Sequence, residues 1–222
     1  MLKPIFFTGT GTNIGKTHVL CALLAAHKAA GGQARILKPV APGFLNTAIS
    51  ETDTARLLKA KGQNITTDTI KATTPWRFKF AMSPDLAARK ENRDLFLQPV
   101  VDWCFDHIHP NHPTVIEGTG GLMSPIAEDG LNLDLINELD AHPVLVAGNY
   151  PGTISHVLTA LRSMDRRCTV ILNERKPGPA SAEETVRSIK RFAPRADIHI
   201  FNPKNLTPIL RAITAVNMSP AE

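Results

Sequence analysis

Short apolar runs of strand length alternate along this chain with longer segments of helical periodicity, and that alternation restricts the fold more than any other feature. The strand candidates are Ile5 to Thr8, Ala34 to Lys38, Thr114 to Glu117, Val144 to Ala147, Thr169 to Asn173 and Ile198 to Phe201. Several are apolar throughout, so a sheet built from them needs cover on both faces. Helix candidates fill the intervals: Lys16 to Ala30, Asp53 to Lys61, Pro84 to Lys90, Asp94 to Ile108, Leu131 to Leu139, Ile154 to Met164, Ala182 to Phe192 and Leu206 to Val216. Repeated strand and helix units return the chain to the same edge each time and so build a parallel sheet. The expected fold class is α/β, with a mostly parallel central sheet flanked by helices on both faces. Seventeen Pro and fourteen Gly are scattered, which leaves no linker and makes residues 1 to 222 read as a single domain. Gly31-Gly32 is a stop signal for the first helix, and Ser181 with Glu184 forms a capping-box pattern before the seventh. The interval from Ala41 to Pro84 is the least regular, and loops over the C-terminal edge of the sheet are expected there.

Directly after the first strand comes Gly9-Thr10-Gly11-Thr12-Asn13-Ile14-Gly15-Lys16-Thr17, followed by an apolar helix. Strand, glycine-rich loop and helix in that order form the setting of a phosphate loop. Its backbone N–H groups and the helix N-terminus favour anions, Lys16 reaches the terminal phosphates, and the Thr17 hydroxyl suits a Mg2+ ligand. In the pattern G-x-x-x-x-G-K-[ST] the first glycine would fall on Thr10, so Gly9 stands one place early.

A nucleoside triphosphate site also needs carboxylates at strand ends, where open α/β sheets bind ligands. Glu117 ends an apolar strand and is followed by Gly118-Thr119-Gly120-Gly121, a stretch of bare backbone against which a substrate can lie. Asp53, at the start of a helix, is the second candidate metal carboxylate, although a first-turn acid also favours the helix dipole without any metal. Lys38 ends the second strand on the same edge.

Net charge offers a competing reading. Twenty-five Lys and Arg against twenty Asp and Glu leave +5 and a pI near 9.3, which by itself suggests a polyanionic partner. Pairs such as Arg166-Arg167, Arg175-Lys176 and Lys190-Arg191 sit near strand or helix ends, while Lys16 and Lys38 converge on the site, so the polyanion expected is ATP and not nucleic acid. Trp76-Arg77-Phe78-Lys79-Phe80 interleaves aromatic and basic residues, but it is one short patch and reads better as a loop over the substrate site than as a nucleic-acid surface. His107, His109 and His112 read as a surface helix end and not as a metal site. Cys21, Cys104 and Cys168 form no CxxC pair, which disfavours a disulfide framework or zinc site and points to a reducing, cytoplasmic compartment; Cys21 and Cys104 read as core residues. No apolar run reaches the roughly 18 residues of a membrane span, so no membrane association is expected.

Taken together, GTGTNIGKT at 9 to 17, KPVAPG at 38 to 43, the T-D-T-A helix start at Asp53, M-S-P at 82 to 84, IEGTGG at 116 to 121 and a late strand ending in Asn173 resemble the dethiobiotin synthetase family over nearly the whole chain. The resemblance implies a P-loop NTPase-like fold and a homodimer with sites at its interface. It implies ATP contacts at Asn13, Ile14, Gly15, Lys16, Thr17, His18, Asp53, Glu117, Gly118, Thr119 and Gly120, adenine contact at Asn173, and Mg2+ held by Thr17, Asp53 and Glu117. Lys38 and Lys16 would be the catalytic lysines. Thr12, Lys38, Pro42, Gly120, Gly121 and Leu122 would face 7,8-diaminopelargonate, and Gly152, Thr153 and Ser155 would reach the substrate's distant carboxylate across the dimer. The implied reaction is Mg-ATP-dependent carboxylation by CO2 and ring closure to dethiobiotin, ADP and phosphate, through carbamate and carbamoyl-phosphate-like intermediates. The chain departs from the family pattern in four places: Asn13 stands where glutamate is frequent, Pro42 where Ser or Thr is usual, Pro75 to Ala81 is more cationic than the pattern, and Asn202-Pro203-Lys204-Asn205 replaces an apolar proline segment. Two alternatives use the same loop. A regulatory or partitioning ATPase would carry an extra lysine at the place of Gly11, and an amidating, carboxylate-activating ligase would need a glutaminase partner that this chain does not contain.

Overall fold

The computed structural model describes residues 2–174 and 180–217; Arg175 and Lys176 lie outside them. The elements follow in chain order: β1 Ile5–Gly9, α1 Lys16–Ala29, β2 Arg35–Leu37, β3 Val40–Ala41, a 3-10 turn Asn46–Glu51, α2 Asp53–Lys61, α3 Thr67–Lys71, β4 Trp76–Arg77, α4 Pro84–Lys90 and α5 Leu97–His107. They continue with β5 Thr114–Glu117, β6 Pro125–Ala127, β7 Gly130–Leu131, α6 Asn132–Glu138, β8 His142–Gly148, α7 Thr153–Ser163, β9 Thr169–Asn173, α8 Ala182–Phe192, β10 Asp197–Ile200 and α9 Thr207–Ala215.

Six strands form a parallel sheet in the order β10-β9-β8-β1-β5-β2. Alternate residues of β1 point to opposite faces, as the pleat requires. Phe6 enters a core cluster with Val100, Cys104, Leu135, Val157 and Ile189 from α5 to α8. Ile5 and Phe7 enter the other, with Val19, Leu23, Leu57 and Ile209 from α1, α2 and α9. Helices therefore cover both faces, as the apolar strands demand.

The strand and helix candidates return, five of them with the expected ends (Asp53–Lys61, Pro84–Lys90, Thr114–Glu117, Thr169–Asn173 and Ala182–Phe192) and the others with shifted ends. Pro143 concealed the first two residues of β8, where a proline without a donor is tolerated because it lies near the strand's start. The helix expected from Asp94 begins at Leu97, because Leu95 is buried and its carbonyl accepts from Glu128 N at 2.8 Å, which pins the chain in an extended conformation. The capping box at Ser181 forms as read, and Gly31 takes φ +81° just past α1.

The stretch from 41 to 84 is more ordered than expected. Val40–Ala41 pairs in parallel with Trp76–Arg77, a two-residue ladder too short to leave a periodic trace. Phe78 is buried, Trp76 and Phe80 pack on the core, and Arg77, Arg93 and Lys90 lie over the rings of Phe44, Phe78 and Phe80 at 5.4, 4.4 and 4.3 Å. Three cations here, Arg77, Lys90 and Arg93, thus face aromatic rings. His107 stacks on Trp103, and among the described residues no cluster of three or more His, Cys, Asp or Glu is placed to hold a metal. All three cysteines are free; Cys104 and Cys168 are buried and Cys21 half-buried. No described helix is long and apolar enough to cross a membrane.

Candidate active site

Parallel register brings the functional residues to one end of the sheet. Phe7 pairs with Glu117 and Leu37 with Ile116, so Lys38, one residue beyond β2, comes beside Glu117, and Glu117 lies next to the strand that launches the phosphate loop. The loop turns through two left-handed residues, Asn13 at φ 59° and Gly15 at φ 97°. Glycine adopts that region freely and asparagine tolerates it better than most residues, which gives the Asn at position 13 a conformational role. Gly15 is the N-cap of α1, whose first two residues, Lys16 and Thr17, are buried. Lys16 Nζ folds back to donate to the Gly11 carbonyl at 3.1 Å. Burial lowers its pKa to about 8, with Glu117 and Asp53 opposing the shift and Lys38 adding to it. The triphosphate expected to lie in the loop would supply negative charge beside this under-stabilised ammonium.

Lys38 and Glu117 form the buried centre, 4% and 1% exposed. Lys38 Nζ donates to Glu117 Oε1 at 2.5 Å, and the Thr17 hydroxyl donates to the same oxygen at 2.9 Å. Asp53 Oδ2 stands 3.6 Å from Lys38 Nζ. Burial would depress the Lys38 pKa, but the two carboxylates outweigh it, and the ammonium is held above its ordinary value. Thr52, not Asp53, caps α2 by accepting from Ala55 N. Asp53 is thereby released from a purely local duty and faces the lysine. Glu117 Oε2 is buried and has no hydrogen-bond partner among the described residues, a costly arrangement unless something cationic occupies that side. An oxyanion without a partner, a hydroxyl and a half-exposed carboxylate fit the oxygen chemistry of Mg2+, which keeps waters and phosphate oxygens as its other ligands.

The loop after β5 packs against the phosphate loop itself. A Cβ on Gly121 would come within 3.2 Å of the Gly9 carbonyl, and Leu122 N donates to that carbonyl at 2.8 Å. Gly121 N donates to Ser124 Oγ at 2.7 Å, and Gly120 takes φ +75°. The amides of Gly121 and Leu122 are therefore committed within the protein, and the Leu122 side chain, expected to face the substrate, lies in the core. Thr119 donates to the Val40 carbonyl at 2.8 Å. Gly118 lies against Phe6 and Asn132, leaving no room for a Cβ. Asn132, fully buried at the start of α6, gives its amide to the carbonyls of Thr119, Gly121 and Ser124 at 2.7, 2.8 and 3.3 Å. This positioning residue escaped the sequence reading; the only available signal was a polar residue at the head of a helix that otherwise faces the core.

The remaining candidates divide by exposure. Thr12, Asn13 and His18 are exposed on the loop side, with His18 edge-on to Phe201 at 5.5 Å. Pro42 is half-buried just after β3, followed by Gly43 at φ +70°. The buried Asn173 amide donates to the Ile14 carbonyl at 2.9 Å, bracing the phosphate loop from the end of β9. At the start of α7, Gly152 and Ser155 are exposed, whereas Thr153 is buried with its hydroxyl on the Gly148 carbonyl at 2.6 Å.

A family model described as an AAA domain matches residues 3–210. Over 202 residues the chain is 39% identical to the ATP-dependent dethiobiotin synthetase BioD of Methylobacterium nodulans, covering 86% of this chain and 90% of that one. The enzyme of the same name from Acidiphilium cryptum is 38% identical, with 86% and 88% covered, and that of Caulobacter vibrioides 36%, with 89% and 91%. Among solved structures, the Aquifex aeolicus MinC:MinD cell division protein complex contains a chain that matches with a TM-score of 0.50 at 15% identity, covering 94% of this chain and 84% of that one, a likeness of fold alone. With matches to ATP-dependent dethiobiotin synthetases at this identity and over nearly the full length of each, the chain belongs to the dethiobiotin synthetase family of ligases.

Proposed function

We propose that this chain uses Mg-ATP and CO2 to carboxylate 7,8-diaminopelargonate and close it to dethiobiotin, releasing ADP and phosphate. The observation that carries the reading is the buried Lys38 ammonium, held between Glu117 and Asp53 beside Thr17 of the phosphate loop. No protein nucleophile is needed. One amine of the substrate adds to CO2 and loses a proton, giving a carbamate. A carbamate oxygen attacks the γ-phosphorus of ATP and ADP leaves; the second amine then attacks the activated carbonyl, closing the cyclic urea and expelling phosphate. Such phosphoryl transfer depends on positioning and on positive charge around the transferring group. Lys16 and Lys38 supply that charge from fixed, buried positions, at no cost of reorganisation during the reaction. Mg2+, held by Thr17, Asp53 and Glu117, would neutralise charge on the phosphate oxygens.

Thr12 on the loop, Pro42 and the glycine stretch from Gly118 border the space left for the diamine. Gly152 and Ser155, exposed at the head of α7, are the groups through which we expect a second protomer to close the site on the distant carboxylate. The reading is tested by incubating purified protein with ATP, bicarbonate and the diamine, and measuring dethiobiotin and phosphate. Diamine-dependent phosphate release with matching cyclic urea is expected; phosphate release indifferent to the diamine, with no cyclic urea, would overturn it.

A further inference from the structure

At the opposite end of the sheet from the phosphate loop lies a cavity of about 350 Å³ whose lining includes Lys28, Arg35, Lys61, His27, His109 and His112, with no carboxylate among its lining residues. Among the described residues, none of the three permanent cations has a carboxylate within ion-pair distance. Arg35 gives one terminal nitrogen to the Ala72 carbonyl at 3.3 Å, but its Nε is buried without a partner. Lys28 reaches across from α1 to lie against bare Gly62 at the end of α2, where a Cβ would collide with its ammonium. Lys61 feels both burial and the charge of Arg35, each lowering its pKa. His109 Nδ1 accepts from the amides of Asn111 and His112 at 3.1 and 3.0 Å, which leaves its Nε2 as the position for a donated hydrogen. Like charges gathered without a counter-charge repel, and a buried donor without a partner costs free energy. The repulsion falls if an anion enters, since charge-assisted bonds from arginine and lysine to phosphate are among the stronger ones available.

We propose that this cavity is a second anion site, taking a small phosphate-bearing molecule through its phosphate dianion, independent of the phosphate loop. Arg35 and the two lysines hold the phosphate, and the cavity, roughly at the lower size limit of small-molecule sites, has Leu24 and Ala34 beside them to receive an organic body. The placement also bears on the site above. Lys28 stands in the last turn of the helix that begins with Lys16 and Thr17, Lys61 ends the helix that begins with Asp53, and Arg35 begins the strand that leads to Lys38.

The test is calorimetric titration of the whole protein with inorganic phosphate and with phenyl phosphate, at constant ionic strength set by chloride. Two phosphate sites are expected in the natural chain. Lys16→Ala should keep the cavity site and lose the loop site, whereas Lys28→Ala with Lys61→Ala should keep the loop site and weaken the cavity site by roughly tenfold or more. Lys61→Glu, which supplies an internal partner for Arg35, should also abolish the cavity site while remaining folded. Tighter binding of phenyl phosphate than of inorganic phosphate supports an organic occupant; equal binding assigns the site to the free ion and overturns the organic body. A lysine double variant that titrates like the natural chain, or a natural chain with no site beyond the loop, would overturn the proposal.

Discussion

A single carboxylate oxygen organises the candidate active site: Glu117 Oε1 accepts from both Lys38 and Thr17 while Oε2 has no partner. Removing one member of a buried pair leaves the other charged and dry, so the two roles of Lys38, structural and chemical, can be separated. Lys38→Met is expected to destabilise the protein by about 3 kcal/mol in urea unfolding, and Glu117→Gln added to it should restore most of that loss. Neither protein should form product; activity in Lys38→Met would remove the lysine from the mechanism. A different residue is expected to lower stability in acid. His142 is buried at the start of β8 and its Nε2 lies 3.0 Å from the Thr169 hydroxyl; burial, then the charge of Lys3, lowers its pKa to about 4, with Arg166 adding to the shift and Asp197 opposing it. The ring is therefore neutral in the folded chain where the unfolded chain already binds a proton. Its effect on stability is nil above about pH 6.5 and becomes a loss of about 2–3 kcal/mol as pH falls from 6.5 towards 4. His142→Gln should flatten that part of the pH profile of the urea midpoint, and an unchanged slope would exclude this histidine as its source.

At the scale of elements, what matters is how loops are held to strands. The segment from Thr119 to Ser124 has little regular structure, yet it packs directly on the phosphate loop because the Asn132 amide gathers three of its carbonyls. Asn132→Ala would leave those buried acceptors short of donors and should cost about 2–3 kcal/mol. Because the same loop borders the expected diamine position, KM for the diamine should rise more than KM for ATP, a split that global destabilisation alone would not produce. The α8 cap offers a contrast: Ser181 accepts from Glu184 N at 3.2 Å at the exposed head of that helix. Ser181→Ala should lower stability by about 1 kcal/mol and leave turnover unchanged.

Across the whole molecule, ligands that bind only the folded chain stabilise it by mass action. A non-hydrolysable ATP analogue with Mg2+ should raise the thermal midpoint, chelation should reverse much of the rise, and in Glu117→Gln the Mg2+-dependent part should be lost; an equal rise without Mg2+ would exclude the proposed metal ligands. Much of this architecture is legible in the sequence. Unbroken apolar strands required two covered faces, and a glycine loop between strand and helix favours an anion at the N-terminus of α1, because backbone sterics and solvation act locally on any chain with those residues. Strand-end residues such as Glu117 and Lys38 could be named as candidates, since parallel βα units leave all their strand ends on one edge. Sequence alone determined the fold class, the phosphate loop and the family, because these depend on period, on the left-handed turns that Asn13 and Gly15 permit and on motifs contiguous in the chain. Only the tertiary structure decided that Thr17 and Lys38 share one oxygen of Glu117, that Asn132 braces the loop opposite, and that Lys28, Arg35 and Lys61 meet in one cavity, because contacts between residues distant in the chain are set by register and packing.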